Sequence, residues 1–325
     1  MTTQACWVCG TMVDSSGYEP LARVVCPKCG QKNLIHRNFD HFEVVETLGA
    51  GGMGTVYKAH DTHLERYVAL KLLHRDLRSE ETHSTQLQEE ARIAASVNHP
   101  NVVQIFSLGM DHGQFYVVME LIDHGNLDDF MESQGRVSEH RVLDIGIQIA
   151  RGLRAAHRKG LIHRDVKPAN ILFVDEQAAK IGDFGIAAFA SQDPQDNGVI
   201  WGTPAYVAPE RLYNQPEDMR SDIYSLGATL FHAVAGKAPI ESSTNSATEL
   251  REMKQHPLEL RIIAPDVSAP TARVLQRMIA PDPNQRFAFY DDLLGELDSA
   301  RRALEIAEAR QRSSRWSFSG LFRHN

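Results

Sequence analysis

The feature that most constrains this chain is a polar octapeptide, residues 163–170, which lies between two apolar runs. Residues 161–162 lead into it and residues 171–174 leave it, so we expect a strand on each side of a short loop. The octapeptide contains Asp, Lys and Asn, and a loop can hold a carboxylate, an ammonium and an amide around one reacting group. An ordinary polar turn between two strands is the alternative interpretation, and other segments must decide between the two.

The composition is that of a globular protein, and it argues against several classes. With 325 residues, of which 42% are hydrophobic, the chain is long enough for roughly two to three domains. A net charge of −8 argues against general nucleic-acid binding. The apolar runs are shorter than a membrane span, and the N-terminus lacks the pattern of a signal peptide. We therefore expect a cytoplasmic protein without a transmembrane segment.

All four cysteines lie before residue 30, in two Cys-x-x-Cys pairs with 16 residues between them: Cys6, Cys9, Cys26 and Cys29. A glycine follows each pair and lets the backbone turn beneath a metal ion. Four thiolates at this spacing are typical of a structural Zn²⁺ site in a reducing compartment. A redox-active dithiol pair and an iron site are the alternatives. So short a segment cannot build a sufficient core, and we expect the metal to supply much of its folding free energy.

Residues 1–38 thus resemble a zinc ribbon, and their role is less constrained than their chemistry. The weak positive charge balance, with Trp7 and Tyr18 as the candidate stacking aromatics, is poor evidence for nucleic-acid binding. A closed Cys₄ site has no open position for catalysis. We expect a recognition or docking module, or a cap on the segment that follows.

A glycine-rich segment lies between two strand-like runs, residues 42–48 and 55–59. In a dinucleotide-binding fold Gly-x-Gly-x-x-Gly opens a helix, whereas here it leads into β-branched and aromatic residues. We expect it at a hairpin tip, where backbone N–H groups can approach phosphate oxygens. A merely flexible hairpin is the alternative. Lys71 follows in the apolar strand 67–73, where a buried ammonium needs a phosphate or a carboxylate as its partner.

Residues 79–97 have the apolar spacing of a helix, and this helix carries two candidate partners for Lys71. These are Glu89 and Glu90, either of which would suit a buried ammonium. Two further strands are expected: residues 102–108 and 114–119.

The sequence predicts that the second half of the chain is mainly helical. A helix over residues 139–159 leads to the octapeptide, and another begins at residues 221–227. Asp183 follows a hairpin, and oxygen atoms from Asp183 and Asn170 suit Mg²⁺, which prefers few protein ligands together with phosphate oxygens.

These segments form an ordered set of motifs: the glycine-rich hairpin, Val68-Ala69-Leu70-Lys71, a helix glutamate, the octapeptide, Asp183-Phe184-Gly185, Ala208-Pro209-Glu210 and Arg286. The set resembles the eukaryotic-like serine/threonine protein kinases of bacteria over residues 40–298. The resemblance implies an α+β, two-lobed protein-kinase fold with ATP between a small β-rich lobe and a large helical lobe. The implied domains are the ribbon at 1–38, the kinase domain at 39–299 (lobes 39–119 and 124–299, hinge 120–123), and a helix with a basic and aromatic tail at 300–325.

The resemblance also implies a role for each matching residue. Lys71, held by Glu90, would bind the α- and β-phosphates, since a second motif, Asn98-His99-Pro100, favours Glu90 over its neighbour. Asn170 and Asp183 would hold Mg²⁺. Further nucleotide contacts would come from the hairpin, the strand that carries Lys71, the hinge and the strand after the octapeptide: Leu48, Gly49, Ala50, Gly51, Gly52, Met53, Gly54, Thr55, Val56, Ala69, Glu120, Ile122 and Leu172. Met119 would line the back of the adenine pocket.

The same resemblance indicates the acceptor. Asp165 would orient a substrate hydroxyl and accept its proton. Lys167 is the serine/threonine-type choice and would meet the transferred phosphoryl group, with Thr203 as its matching residue. The segment 202–210 would shape a groove for a protein substrate. Glu210 and Arg286 are expected to form a structural ion pair, with the carboxylate of Asp222 bracing the octapeptide.

One departure from the family pattern concerns Arg164, which in the family commonly meets a phosphate on the loop after Asp183. That loop carries a single hydroxyl, at Ser191. We expect Asp193 or Asp196 to satisfy Arg164, which would make the kinase less dependent on loop phosphorylation.

The expected partners are ATP, protein substrates with serine or threonine, and a second copy of the chain for autophosphorylation. The residues beyond 310 mix arginine with aromatics and could contact an acidic membrane surface, while an unstructured or docked tail is the alternative. A pseudokinase scaffold that works through its ribbon is the alternative function, and the intact set Lys71, Asp165, Asn170 and Asp183 argues against it.

Overall fold

The computed structural model describes residues 3–51, 54–73, 91–111, 113–184, 204–240 and 246–320, the last ten of these by their backbone alone. The chain divides into two compact units. The first comprises Met1–Gln88 and Gln104–Leu121, and the second comprises Glu89–Val103 and Ile122–Asn325. Among the described helices, none is long and apolar enough to cross a bilayer.

The first unit begins with two small antiparallel hairpins and continues into a six-stranded sheet. The hairpins pair β1 (Thr3–Ala5) with β2 (Met12–Asp14), and β3 (Arg23–Val25) with β4 (Lys32–Leu34). The sheet strands are β5 (Asn38–Phe39), β6 (Phe42–Gly51), β7 (Gly54–Asp61), β8 (Arg66–Leu73), β9 (Ile105–Asp111) and β10 (Gln114–Met119). Their order is β5-β6-β7-β8-β10-β9, and every neighbouring pair is antiparallel.

One face of this sheet forms the core of the first unit, because every second residue of its strands is apolar. Its buried members are Phe39, Phe42, Tyr57, Ala59, Val68, Leu70, Leu72, Tyr116 and Val118. Phe39 and Phe42 contact the ring of Tyr116 edge-on, at centroid separations of 5.9 and 6.1 Å. Such pairs add specific geometry to the apolar area that they bury.

The second unit is mainly helical. Its helices are α1 (Leu127–Gln134), α2 (Glu139–His157), α3 (Pro209–Leu212), α4 (Met219–Ala235), α5 (Ala247–Gln255), α6 (Leu260–Ile263), α7 (Ala269–Met278) and α8 (Tyr290–Gly320). A short antiparallel pair, β11 (Ile171–Phe173) and β12 (Ala179–Ile181), follows the octapeptide. Helix α4 is buried on nearly all sides, as expected of a helix that is apolar around its whole circumference. It packs against α2 and α7, and α8 packs against the same two helices.

A glycine lies where α2 packs against α4. A Cβ atom at Gly146 would lie 2.8 Å from a terminal methyl group of Leu230, which is closer than real Cβ contacts. A larger residue at this position would therefore require the Leu230 side chain to move.

Two strand predictions are wrong. Residues 161–162 were expected to form a strand before the octapeptide, but residues 161–167 have no regular structure. The N–H groups of His163 and Arg164 donate to a buried carboxylate, Asp222, which replaces a strand partner. A strand was also expected from residue 102, but β9 begins at Ile105. Val103 instead donates its N–H to the carbonyl of Ile181 in the second unit.

The remaining differences are smaller. Helix α2 ends at His157 rather than residue 159, and α4 begins at Met219. The backbone remains helical to Gly320, so the alternative of an unstructured tail is wrong for residues 311–320. Of the expected helix at 79–97, residues 91–95 are helical, and residues 74–90 lie outside the described part of the chain.

Candidate functional sites: the cysteine cluster and the catalytic loop

The four cysteines come together as the sequence predicts. Their sulfur atoms all lie within 4.8 Å of one another, and the pairs Cys6–Cys29 and Cys9–Cys26 are each 3.6 Å apart. Four sulfur ligands at about 2.3 Å from a tetrahedral zinc ion are about 3.8 Å apart, so the cluster fits this ion. Gly10 and Gly30 follow the two pairs with positive φ angles of 71° and 74°, and each donates its N–H to the carbonyl of the first cysteine.

The thiols of this cluster perturb one another's pKa values. Hydrogen bonds with Thr11, first through its hydroxyl and then through its backbone N–H, lower the pKa of Cys9 to about 6. A hydrogen bond from the backbone of Gln31 lowers the pKa of Cys29, but contact with the Cys9 thiol, burial and the other two thiols outweigh it and raise that pKa to about 12. Close thiolates repel one another, and a bound cation would remove this repulsion.

The ribbon has a very small apolar core, but it is joined to the sheet. Its buried members are Cys6, Val13, Val24, Cys26 and Ile35. Leu21 packs against the sheet core, and its N–H donates to the carbonyl of Ile35 over 2.7 Å. The guanidinium of Arg37 lies 5.8 Å from the ring centroid of Phe39 and donates to the carbonyl of Tyr18. The sequence did not reveal this attachment, since it depends on single apolar residues.

The glycine-rich segment forms the hairpin of β6 and β7, with Gly51 opposite Gly54. Gly52 and Met53, at its tip, lie outside the described residues. Gly54 has φ 155°, and a Cβ atom there would lie 1.9 Å from the carbonyl oxygen of Leu72, so no other residue fits without a shift of the backbone. The remaining predicted residues of this segment lie on the two strands: Leu48, Gly49, Ala50, Thr55 and Val56.

Lys71 lies on β8, directly opposite Val56 of the hairpin, and is 4% exposed. Ala69 lies on the same strand, opposite Met119 of β10. The hinge residue Glu120 exchanges hydrogen bonds with Gln104: its N–H donates to the Gln104 carbonyl over 2.9 Å, and its carboxylate accepts the Gln104 N–H. Ile122, the other predicted hinge residue, begins the second segment of the second unit. Glu90, proposed as the partner of Lys71, lies outside the described residues.

In the second unit, three predicted residues of the octapeptide meet. The ammonium of Lys167 is 2.8 Å from Oδ2 of Asp165. The side-chain amide of Asn170 donates to the same Oδ2 over 3.0 Å and to the Asp165 carbonyl over 2.7 Å. Because the amide nitrogen is used in this way, Oδ1 of Asn170 is the atom that suits a cation.

A buried carboxylate on α4 holds the backbone of this loop in place. Asp222 of α4 accepts the N–H groups of His163 and Arg164, both over 2.8 Å. Burial raises the pKa of Asp222, and the His163 charge and the two hydrogen bonds oppose this shift. Arg164 adopts a left-handed backbone with φ 67°, a conformation that costs free energy in a residue other than glycine and is often found at functional sites.

Asp183 is connected to the loop through its neighbours. The N–H of Gly182 donates to the carbonyl of Asn170 over 2.9 Å, and the carbonyl of Gly182 lies 2.8 Å from Nε2 of His163. The ring of Phe184 contacts the ring of His163 at 4.6 Å. Asp183 also has a left-handed backbone, with φ 59°. Leu172 lies on β11, the strand that leaves the octapeptide.

The expected ion pair between Glu210 and Arg286 is confirmed. It is bidentate, with N–O distances of 2.7 and 2.8 Å, and both side chains are buried. The hydroxyl of Ser221 donates to the same carboxylate over 2.6 Å. Such planar, fully paired geometry is what a buried ion pair requires.

Arg164 has a carboxylate partner that the sequence did not predict. Its Nε lies 3.8 Å from Oε2 of Glu217, a residue of the segment between α3 and α4. Burial raises the pKa of Glu217, while the charges of Arg211 and Arg164 oppose this shift. Asp193 and Asp196, the partners that we expected, lie outside the described residues. No sequence signal pairs these two positions, because they are far apart in the chain.

Comparisons with known proteins agree with this geometry. A family model described as a protein kinase domain matches residues 42–295. A probable serine/threonine-protein kinase of Clostridium acetobutylicum is 31% identical over 264 residues, which cover 81% of this chain and 40% of that protein. The serine/threonine-protein kinase PknJ of Mycobacterium tuberculosis is 35% identical over 256 residues, which cover 77% of this chain and 43% of the relative.

A solved structure agrees as well. The PknI kinase domain of Mycobacterium tuberculosis superposes with a TM-score of 0.66 at 28% identity, over 81% of this chain and 97% of that chain. The chain spans about two fifths of the length of the curated relatives named above. Its matching region covers most of the chain and includes the octapeptide with its bracing residues. The chain belongs to the protein kinase family, among the serine/threonine kinases of bacteria.

Proposed function

We propose that this chain is a protein kinase that transfers the γ-phosphoryl group of ATP to serine or threonine hydroxyls of proteins in bacterial signalling. The observation that carries the proposal is the cluster of Asp165, Lys167 and Asn170, in which the Lys167 ammonium and the Asn170 amide each lie within 3.0 Å of the Asp165 carboxylate. A carboxylate, an ammonium and an amide at this spacing suit the transfer of a charged group between two oxygen atoms.

Each residue has a distinct task in this mechanism. Asp165 orients the acceptor hydroxyl and accepts its proton as the new P–O bond forms and the bond to the ADP oxygen breaks. Lys167 binds the oxygens of the transferred group, and Lys71 binds the α- and β-phosphates. Oδ1 of Asn170 and the carboxylate of Asp183 suit Mg²⁺, which neutralises phosphate charge when bound. Catalysis then depends on positioning and on charge stabilisation.

The nucleotide contacts are proposed from the residues that match the family motifs. The hairpin, Ala69 and Lys71 would contact the phosphates and the adenine, together with Glu120, Ile122 and Leu172. Glu90 would hold Lys71 in place. The corresponding domains are the ribbon at 1–38, the kinase domain at 39–299 and the C-terminal segment at 300–325.

The ribbon is proposed to hold one structural zinc ion through Cys6, Cys9, Cys26 and Cys29. The sulfur spacing supports this proposal. Zinc thiolates require reduced cysteines, which favours a cytoplasmic location. Autophosphorylation between two copies is a further expectation, which mixing an active chain with an inactive one would test.

A transfer assay with labelled ATP, Mg²⁺ and a general protein acceptor tests the kinase proposal. We expect Lys71→Met to reduce transfer by at least about a hundredfold, since it removes a charged phosphate ligand. Lys58→Met is the matched control, because Lys58 lies on the neighbouring strand β7 and pairs with Glu46 at 3.2 Å. The label should be found on serine and threonine. Equal transfer by Lys71→Met, or label mainly on tyrosine, would overturn the proposal.

A further inference from the structure

The second unit contains a buried cation that the proposed mechanism does not use. Lys254 of α5 has 0% exposure, so its ammonium cannot reach solvent. Its Nζ lies 3.4 Å from the carbonyl oxygen of Ala205, 3.4 Å from the hydroxyl of Tyr224 and 5.1 Å from the centroid of the Tyr224 ring. Burial of a cation with neutral partners costs free energy.

The surroundings of Lys254 do not stabilise the charged form of its side chain. Burial, and then the positive charge of Arg286, lower the pKa of Lys254 to about 7, while the carboxylate of Glu210 opposes this shift. Arg286 also lies against the Tyr224 ring, at 4.8 Å from its centroid. An apolar side chain of the same length would fit this environment without the electrostatic cost.

The Ala205 carbonyl, which accepts a hydrogen bond from Lys254, lies in a segment with an expected function. Ala205 belongs to the segment 202–210, of which residues 204–210 are described and which would shape the groove for a protein substrate. The next residue, Tyr206, is buried, and its hydroxyl lies 2.7 Å from Nδ1 of His232 on α4. Burial lowers the pKa of His232, with the charge of Asp128 opposing, so the imidazole is neutral at pH 7 and can accept this hydrogen bond.

We propose that Lys254 is a positioning residue that holds the substrate segment in its binding conformation through the carbonyl of Ala205. The segment is thereby held at three points: Ala205 by Lys254, Tyr206 by His232, and Glu210 by Arg286. Lys254 supplies a donor to a backbone carbonyl, which makes its role independent of the side chain at position 205. This inference rests on the proposed function, because the segment binds substrate only in a protein kinase.

The alternative is that Lys254 merely fills space with its aliphatic stem. Lys254→Met separates the two, since methionine keeps the length and the apolar stem but removes the donor and the charge. If Lys254 positions the segment, Lys254→Met should unfold at the same or a higher temperature, because a buried cation is gone. At the same time the KM for a protein acceptor should rise roughly tenfold, which is the effect of one lost charged hydrogen bond, with little change in the KM for ATP.

Two measurements complete the experiment. Hydrogen exchange of the peptide that spans residues 204–210 should be faster in Lys254→Met than in the wild type, and this readout does not depend on kinase activity. The pH profile of the acceptor KM gives the second. As the pH rises through about 7 the Lys254 ammonium loses its charge and its hydrogen bond to the Ala205 carbonyl weakens, so the KM should rise more in the wild type than in Lys254→Met. Lys159→Met, at an exposed position after α2, is the control and should match the wild type.

The outcomes are distinguishable. No transfer activity in the wild type would refute the proposed function, and the exchange measurement would still test the positioning role. An active wild type with unchanged acceptor KM and unchanged exchange in Lys254→Met would overturn the inference. A lower unfolding temperature with unchanged acceptor KM would identify Lys254 as structural only and would also overturn it.

Discussion

The ribbon and the octapeptide, residues 163–170, which we propose as the catalytic loop, both hold several polar groups close together. They differ in the source of the groups that balance their negative charges. In the catalytic loop the partners are protein groups: Asp165 meets Lys167, and Asp222 accepts two backbone N–H groups. In the ribbon the described neighbours of the sulfur atoms are largely other sulfur atoms and the backbone. The octapeptide is therefore organised by protein groups, whereas the proposed metal site of the ribbon would need a bound cation to balance its thiolates.

The difference follows from the size of the core beneath each site. Helix α4 is buried on nearly all sides and can hold a fully buried carboxylate at a fixed position. The ribbon core has three apolar members besides two of its cysteines: Val13, Val24 and Ile35. A core of this size cannot offset the entropy of ordering the chain, so we expect a metal ion to contribute. Rigid positioning by the protein alone requires a large core.

Metal removal is expected to have the largest effect and to affect the ribbon alone. A strong chelator should remove about one zinc ion per chain, and the amides of residues 3–36 should then exchange as in an unfolded peptide. The amides of α4 should keep their protection. Cys26→Ser, which removes a buried ligand, should reproduce the change without a chelator. If the ribbon amides kept their protection in the metal-free chain, the ribbon would not depend on a metal ion and the contrast with the octapeptide would be wrong.

The buried ion pair is expected to have the next largest effect. Arg286→Met leaves Glu210 buried and unpaired, and should lower the free energy of unfolding by about 3–5 kcal/mol in urea titrations. Arg301→Met is the matched control, because Arg301 forms partly exposed pairs with Asp144 and Asp298 and should cost less than about 1 kcal/mol. Equal losses in the two variants would show that the buried scaffold is not what stabilises the second unit.

The same pair predicts an acid dependence. Although burial opposes it, the hydrogen bond and charge of Arg286 lower the pKa of Glu210 below its usual 4.5. The stabilisation is then fully present above pH 4.5 and is lost as the pH falls through the folded-state pKa. Glu210→Gln should show a smaller loss of stability than the wild type as the pH falls from 4.5 to about 3. Parallel pH profiles for the two proteins would contradict this assignment.

The smallest effect concerns Arg164. If Glu217 supplies its counter-charge, Glu217→Gln should lower the rate of phosphoryl transfer by roughly threefold to tenfold, because the loop loses one partly buried ion pair. Ser191→Ala should then retain most of the activity, because a carboxylate rather than a loop phosphate balances the charge of Arg164. Loss of activity in Ser191→Ala, with no effect in Glu217→Gln, would show that a phosphate on the loop, and not Glu217, balances the charge of Arg164.

The motifs predicted the family, the fold class and the cysteine cluster, because these depend on residue types at fixed local spacing. They also predicted that Asp165, Lys167 and Asn170 would meet. Long-range polar pairs outside the family motifs were not accessible, because no sequence pattern singled out Glu217 or Lys254. A lysine in an amphipathic helix gives no sign that it will be fully buried, since burial is decided by the helices packed against it.

Local errors had a similar origin. The apolar residues before the octapeptide were expected to form a strand from their apolar pattern alone, although the family resemblance placed Asp222 against the octapeptide. Asp222, far along the chain, takes the N–H groups that a strand partner would otherwise accept. The attachment of the ribbon through Leu21 was missed for the same reason, because one half-buried leucine carries no pattern.

The central claim is that the preorganised loop transfers a phosphoryl group and that Asp165 is its proton acceptor. Asp165→Asn keeps the shape of the side chain but removes the carboxylate. It should reduce the rate of transfer to a protein acceptor by at least about a hundredfold while nucleotide affinity changes little, since a general base contributes in this range. Asp175→Asn, at an exposed turn between β11 and β12, is the control. Transfer by Asp165→Asn at the wild-type rate would contradict the account.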